Sequence, residues 1–110
     1  MALHVSEAAR EEILGIAHWY DQQPSRYGSA FLEEVEAGLL AIESNLRLYP
    51  LAEDGRPGHE DREYYITRFK QRVIFAVVGE DAFVLTVVHA SRREGAWRRN
   101  LPTDPPPETT

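Results

Sequence analysis

The chain has 110 residues, a net charge of −6 at pH 7 and no cysteine. This length suits one domain with a sizeable hydrophobic core, and the lack of cysteine excludes disulfides and thiolate metal sites. No apolar run approaches the roughly 18 residues of a membrane-spanning helix, and the first residues lack the basic and apolar regions of a signal peptide. We therefore expect a cytoplasmic protein without membrane contacts.

The charge is distributed unevenly along the sequence. Residues 62–99 contain eight basic and four acidic side chains, whereas the rest of the chain is strongly acidic. The simplest interpretation is that these basic residues are solvated surface side chains. Such a cluster can also contact a phosphate backbone or an acidic protein surface, although the net charge argues against a general nucleic-acid binder.

The first predicted elements are a short strand and a helix. Leu3 and Val5 alternate within residues 2–5, as in a strand, and Ser6 is suited to N-cap the helix that follows. The apolar residues of this helix fall at i, i+3, i+4 and i+7. They are Ile13, Ile16, Ala17 and Tyr20. The helix is expected to end before Pro24.

A second helix follows, with Ser25 as its candidate N-cap and Pro50 as the residue that ends it. It has the clearest periodicity in the chain, carried by Phe31, Val35, Leu39, Ile42 and Leu46. Two helices joined by residues 21–25 form an antiparallel hairpin, whose apolar stripes need a partner surface. The outer face is interpreted as solvated and carries Glu11, Glu12, Glu33, Glu34 and Glu36.

Three further strands are predicted after the polar loop at residues 51–61. The first covers residues 64–69, and the apolar runs 73–78 and 83–89 form a hairpin around residues 79–81. Both runs are apolar on both alternations, which predicts a covering layer on each face of the sheet. The helical hairpin supplies one of these layers.

The sequence after His89 predicts one or two helical turns. Residues 100–110 form a proline-rich acidic tail that is expected to be disordered or extended. The fold class is therefore α+β in the order β-α-α-β-β-β, with residues 1–99 as the domain. We expect a small, mostly antiparallel sheet with a helical hairpin on one face and a short basic C-terminal turn or helix.

The order, spacing and length of these elements resemble a known family. The pattern reads Tyr64-x-Ile66-x-x-Phe69-x-x-Arg72-Val73-Ile74-Phe75, then Val84-Leu85-x-Val87-Val88-His89, then Arg92-Arg93 and Trp97, and Gly55-Arg56-Pro57 also fits. On these residues the chain resembles toxins of the RelE/ParE superfamily, which belong to bacterial type II toxin–antitoxin modules. The resemblance covers residues 3–99.

The resemblance implies a growth-inhibiting toxin that is neutralised in a hetero-oligomer with a cognate antitoxin. In these modules the antitoxin wraps its C-terminal segment, disordered when alone, around the toxin. Such a segment would supply the second covering layer of the sheet. On this interpretation Tyr64, Tyr65 and Phe69 contact the antitoxin.

The superfamily divides by target, and one branch consists of ribonucleases. RelE-like members cleave messenger RNA on the ribosome, which needs a base, an acid and cations around the phosphate. Resemblance to this branch implies Arg72 and either Arg92 or Arg93 as catalytic cations. His89 is the candidate for a substitute general base, and Arg68 and Lys70 are candidates for further cations. Tyr65 and Thr67 stand where the branch has lysines, so the ribonuclease set is incomplete.

The other branch poisons DNA gyrase and needs no catalytic set. The ending Val88-His89-x-x-Arg92-Arg93 resembles these ParE-like members, and we favour this interpretation over the ribonuclease. A third interpretation, consistent with the acidic balance, is a toxin-derived domain that only binds its partner. No cofactor or metal is expected, since no histidine lies at ligand spacing from another.

The candidate target-binding residues come mainly from the basic segment. They are Arg68, Lys70, Arg92, Arg93, Trp97, Arg98 and Arg99. Trp97 is expected either to pack a terminal turn onto the core or to stack on a nucleic-acid base. The four arginines of this set that follow the last strand can contact an acidic protein patch or DNA without proton transfer.

Overall fold

The computed structural model describes residues 2–92 and 95–100, with only the backbone of Asn100. The predicted order β-α-α-β-β-β and the α+β class are confirmed. The strands are β1 (Ala2–Val5), β2 (Asp61–Ile66), β3 (Gln71–Val78) and β4 (Asp81–His89). The helices are α1 (Glu7–Asp21), α2 (Gly28–Ser44) and a C-terminal 3-10 helix (Ala96–Asn100). The rest of the predicted tail, residues 101–110, lies outside the described residues.

The four strands form one sheet in the order β1-β4-β3-β2. β1 runs parallel to β4, and the other two pairs are antiparallel. β2 differs from the prediction because it begins at Asp61 and stops at Ile66, and residues 67–70 form a turn. Lys70 has a φ of 55°, the left-handed conformation that lets the chain reverse tightly into β3. Phe69 therefore lies in the turn and not in the strand.

The two helices are capped in different ways. Ser6 caps α1 as predicted, because its Oγ accepts a hydrogen bond from the Ala9 amide at 3.0 Å. The prediction of Ser25 as the cap of α2 is wrong, since α2 begins at Gly28. Its first amide instead donates to Oδ1 of Asp21 at 2.9 Å, so the end of one helix caps the start of the next. A carboxylate at this position also suits the helix dipole.

The helical hairpin covers one face of the sheet, as predicted. The core between these layers is fully buried at Phe31, Ile42, Val73, Phe75 and Val84. Large apolar side chains from both layers supply most of the stabilisation, since each buried side chain contributes about 1.5–3 kcal/mol. Within the described residues, no helix is long and apolar enough to cross a membrane.

α1 also contacts an edge of the sheet. β1 ends opposite Val84, so the following part of β4 has no strand neighbour on that side. Glu12 of α1 takes this place: its Oε1 accepts hydrogen bonds from Oγ1 of Thr86 at 2.6 Å and from the Val87 amide at 3.2 Å. The interpretation of Glu12 as part of a solvated face is therefore wrong, because this carboxylate is a structural hydrogen-bond acceptor.

The second face of the sheet is covered in part by the chain itself. Ala52 from the loop before β2 and Trp97 from the 3-10 helix pack on Ile74. The sequence predicts an antitoxin segment as this cover, but over this half of the face the protein supplies its own. The described residues leave the other half open, and there the side chains of Val78 and Phe83 are 63% and 37% exposed.

Candidate functional site

A buried arginine lies at the centre of the self-covered half of the sheet. Arg72 on β3 has no exposed surface, and its guanidinium meets Asp54 in the loop above it. Nη1 donates to Oδ2 at 3.1 Å and Nη2 to Oδ1 at 2.5 Å. Glu63 on β2 accepts from Nε and Nη2 at 3.0 and 2.9 Å, and the Arg92 carbonyl accepts from Nη1 at 2.8 Å. All three guanidinium nitrogens therefore have acceptors.

The carboxylate of Asp54 connects this arginine to the C-terminal part of the described chain. Its Oδ2 also accepts from Nε1 of Trp97 at 2.9 Å and from the Gly95 amide at 3.2 Å. Gly95 has a φ of 79°, a left-handed conformation that favours glycine. The indole of Trp97 is only 4% exposed, so it has no free face for stacking on a base. Of its two predicted roles, the structure shows the packing role.

These contacts shift the ionisation of the buried pair. Burial by itself would raise the pKa of Asp54, but hydrogen bonds from Arg72 and Trp97 outweigh it and hold that pKa below its ordinary value. Burial alone would lower the pKa of Arg72, and hydrogen bonds to Asp54 and Glu63 raise it instead. Arg72 is thus a fully charged group whose donors are all directed at protein acceptors.

The Gly55-Arg56-Pro57 triplet, which the family resemblance included without a role, positions the same loop. The side chain of Arg56 makes a two-point ion pair with Asp61, with Nε and Nη2 each 2.9 Å from a carboxylate oxygen. The Arg56 amide donates to the same carboxylate at 2.9 Å. Asp61 begins β2 and is 1% exposed. The pair therefore fixes the loop that carries Asp54 to the sheet, and no local spacing in the sequence indicates it.

Four of the predicted site residues come together at one end of the sheet. The Ala90 amide donates to the Lys70 carbonyl at 2.8 Å, which joins the turn before β3 to the segment after β4. The resulting surface, here called the basic end, consists of Arg68, Lys70, His89 and Arg92. All four side chains are exposed.

Two members of the basic end have defined local contacts. The guanidinium of Arg68 lies 5.2 Å from the ring centroids of Tyr27 and Phe69. Nδ1 of His89 accepts from the Ser91 amide at 3.1 Å and lies 2.8 Å from Oγ of that serine. Since an amide donor requires a lone pair on Nδ1, this contact assigns the proton of the neutral ring to Nε2. The imidazole then presents an N–H donor to the outside.

Of the remaining predicted target-binding residues, those that the structure describes do not join the basic end. Arg98 donates through Nε to the Gly95 carbonyl at 3.1 Å and reaches the Gly55 carbonyl, so it lies over the loop before β2. Arg99 is exposed on the same 3-10 helix. Arg93 lies outside the described residues. The predicted set is therefore divided between two parts of the surface.

The three residues predicted to contact an antitoxin also lie apart from one another. Phe69 is 7% exposed and its ring packs against Tyr20 and Phe31, with centroids 4.9 and 5.4 Å apart. Tyr64 is half-buried beneath α2, where a Cβ at Gly38 would lie 2.7 Å from its ring. Tyr65 is 41% exposed on the opposite face of the sheet. In this structure Tyr65 presents the most surface of the three.

Comparison of the chain with protein-family models and with curated proteins gave no match in either case. Within the described residues, no group of three or more histidine, aspartate and glutamate side chains is arranged to hold a metal ion. The arrangement of the side chains is therefore the basis for inferring function. It combines a buried, neutralised arginine at the sheet centre with an exposed basic end.

Proposed function

We propose that this protein is the toxin of a bacterial type II toxin–antitoxin module, of the RelE/ParE superfamily. In this proposal it inhibits growth by binding DNA gyrase in the cytoplasm, and a cognate antitoxin neutralises it. The order of the elements and the motif residues from Tyr64 to Trp97 support the superfamily. The observation that favours a binding toxin over a ribonuclease is the burial of Arg72 beneath Asp54.

The state of Arg72 argues against RNA cleavage. A cation that stabilises a pentavalent phosphate must direct its donors at the oxygens that gain charge. The donors of Arg72 instead point at two protein carboxylates, and the residue has no exposed surface. Tyr65 and Thr67, at the positions of the lysines in the ribonuclease branch, supply no cation either. His89 lies beside the exposed cations of the basic end, but RNA cleavage needs both a base and an acid, and one imidazole supplies only one of them at a time.

The basic end fits the role of target contact. Arg68, Lys70 and Arg92 are exposed on a protein that is otherwise acidic. Positive charge concentrated on one surface steers association with an acidic protein or with DNA, and it requires no proton transfer. A complex of gyrase with DNA presents the negatively charged phosphate backbone to such a surface.

The open half of the second sheet face suits the antitoxin. Val78 and Phe83 expose apolar surface there, and Phe83 stacks on His4 with ring centroids 4.8 Å apart. Exposed apolar patches of this kind mark protein contacts. An antitoxin bound to the native state raises the free energy of unfolding by about 2.7 kcal/mol at a concentration of 100 times its dissociation constant. An unchanged melting temperature at saturation would exclude such binding.

The proposal is tested with purified protein and purified gyrase. We expect inhibition of supercoiling or trapping of cleaved DNA, reversal by the antitoxin, and intact messages in a parallel translation reaction. Arg10→Ala, which removes an exposed arginine from α1, serves as a charge-matched control for variants of the basic end. If the protein cuts ribosome-bound messages and has no effect on gyrase, its target is the ribosome and not gyrase.

A non-toxic binding domain is the second candidate, because a net charge of −6 is unusual for a toxin that acts on nucleic acid or its complexes. Expression in several bacterial hosts, including the native one, separates the two. Growth arrest that is relieved by the antitoxin supports a toxin. Harmless accumulation of folded protein that still binds the antitoxin supports the binding domain.

A further inference from the structure

A groove runs between α1 and the ends of β3 and β4, on the helix side of the sheet. It is open to solvent and has a volume of about 430 Å³. Its walls include Ile16, Trp19, Gln71, Val88, His89 and Arg92. The predicted catalytic and target-binding residues account for His89 and Arg92 only. Gln71 and Trp19 have no role in the proposed function.

Gln71 is the unusual residue of this α1–β4 groove. It is the first residue of β3, pairs with Ile66 and His89 in the sheet, and is 7% exposed. Its Oε1 is buried and has no hydrogen-bond partner among the described residues. Buried side-chain acceptors are nearly always satisfied, because an unpaired one keeps the full cost of desolvation. We therefore expect a molecule bound in the groove to donate a hydrogen bond to this amide oxygen.

The other walls define what that molecule must offer. The indole of Trp19 is 58% exposed and presents a flat apolar surface. His89 presents Nε2–H as a donor, and the exposed Arg92 guanidinium makes no ion pair within the described residues. Glu12 also lines the groove, but its Oε1 is engaged by Thr86 and Val87. The fitting ligand has a planar ring with an N–H donor and carries one anionic group.

We propose that the α1–β4 groove binds a nucleotide, with the base edge on the Gln71 amide, the base on the Trp19 indole and the phosphate at Arg92. A carboxamide suits this edge because each base offers an N–H beside an acceptor, which Oε1 and Nε2 can match together. Base–aromatic stacking and a charge-assisted phosphate contact hold the other two parts of the ligand. The carboxylate of Glu12 disfavours further phosphates and so favours a monophosphate.

The ligand has two possible sources with the same chemistry: a free mononucleotide or one nucleotide of a single strand. This inference does not depend on gyrase as the target, since binding is measured on the isolated protein. Titrations therefore use AMP, GMP, CMP and UMP in one arm and short single-stranded oligonucleotides in the other. Adenosine without phosphate tests the contribution of Arg92.

We expect quenching of Trp19 emission and chemical-shift changes of the Gln71 side-chain amide on addition of AMP. Trp19→Ala should weaken AMP binding about tenfold, the value of one base stack. Arg92→Ala should weaken AMP binding but leave adenosine binding unchanged. Arg10→Ala and Leu48→Ala, which remove an exposed arginine and an exposed apolar side chain outside the groove, should change neither.

Gln71→Glu distinguishes base recognition by Gln71 from a purely structural role, because only base recognition predicts a change in which nucleotides bind. A carboxylate has two acceptors and no donor, and guanine offers two adjacent N–H donors on its pairing edge. The variant should therefore lose binding of AMP, CMP and UMP and retain binding of GMP.

The source of the ligand follows from the two arms of the titration on the wild-type protein. If an oligonucleotide binds more tightly than AMP, the ligand is one nucleotide of a single strand. If it binds equally or more weakly, the ligand is the free mononucleotide.

The proposal is overturned if none of the four mononucleotides and no oligonucleotide binds at millimolar concentration. It is also overturned if binding is unaffected by Trp19→Ala and Arg92→Ala, since the ligand would then lie elsewhere. Both positions are exposed, so these variants should keep the fold even if Gln71→Glu does not. Loss of binding in these two, together with folded protein by circular dichroism, supports the groove.

Discussion

Arg72 and Asp54 form a buried two-point ion pair, with Nη1–Oδ2 and Nη2–Oδ1 distances of 3.1 and 2.5 Å. The loop of Asp54 and the strand of Arg72 are brought together by this contact, and Trp97 is attached to the same carboxylate. A pair of this kind is costly to break from one side, because the remaining charge stays buried without its counterion. The first prediction follows from this asymmetry.

Arg72→Met should lower the free energy of unfolding by about 3–5 kcal/mol, measured by urea denaturation. The cause is the carboxylate of Asp54, which loses its principal partner while remaining buried. The double variant Arg72→Met with Asp54→Asn should recover part of this loss, since no unpaired charge then remains at either position. Arg10→Met, on an exposed helix position, should change stability by less than about 0.5 kcal/mol. A small effect of Arg72→Met would contradict the buried pair.

Stability should also fall in acid through Asp54. The folded-state pKa of this residue is depressed, so its contribution is fully present above the unfolded value of about 3.9. It is lost as pH falls through the lower folded pKa, because the unfolded chain then binds more protons. We expect the stability difference between wild type and Asp54→Asn to be constant from pH 5 to 7 and to shrink below about pH 4. A difference independent of pH down to pH 2 would exclude this account.

The indole N–H of Trp97 has a separable effect. Trp97→Phe keeps an aromatic ring over Ile74 but removes the donor that lies 2.9 Å from Asp54. A hydrogen bond to a charged group contributes about 1.5–3 kcal/mol, and we expect a loss of that size in thermal or urea unfolding. Trp19→Phe is the matched control, since Trp19 is 58% exposed. Equal effects of the two substitutions would mean that the Asp54 contact contributes nothing.

Glu12 should behave as the cap of the β4 edge. Glu12→Ala removes the acceptor of Thr86 Oγ1 and of the Val87 amide, which leaves buried donors unpaired at a cost of about 1–3 kcal/mol. Glu12→Gln retains one acceptor oxygen and should lose less. Hydrogen exchange of the Val87 amide should accelerate in Glu12→Ala and stay slow in Glu11→Ala, whose side chain is exposed. Unchanged exchange in Glu12→Ala would show that the contact does not form in solution.

The elements whose signals are local were predictable from sequence. Periodicity identified both helices, the Ser6 cap and the β3–β4 hairpin, because each depends on residues a few positions apart. The contacts that close the structure are long-range: Arg72 meets Asp54 across 18 positions and Glu12 meets Val87 across 75. No spacing rule connects such pairs. The self-covered half of the sheet was missed for the same reason.

The candidate site was predictable only in part. The excess of arginine and lysine in residues 62–99 indicated the basic end, and register within the sheet brings its members together. The burial of Arg72 and Trp97 could not be predicted from the sequence, since both residue types occur on surfaces and in interiors. Gln71 gave no signal at all, because an unpaired amide oxygen is a property of its surroundings and not of the residue.

The last prediction concerns the basic end as the target-binding surface. Arg68→Ala combined with Arg92→Ala should abolish toxicity and gyrase inhibition while leaving the fold and antitoxin binding intact, because both side chains are exposed and the second follows the last strand. Arg10→Ala should remain toxic, and His89→Gln should have a smaller effect than the double variant.

The measurements are growth arrest on induction, supercoiling by purified gyrase and circular dichroism of each variant. Arg72→Ala is informative only in preparations that still fold and bind antitoxin, because this substitution also removes the buried pair with Asp54. Suppose that the wild type cuts ribosome-bound messages at codon positions and that folded Arg72→Ala protein does not. Toxicity would then come from RNA cleavage and not from target binding by the basic end. The ribonuclease branch would then describe this protein, and Arg72 would have to leave its carboxylates to act on RNA.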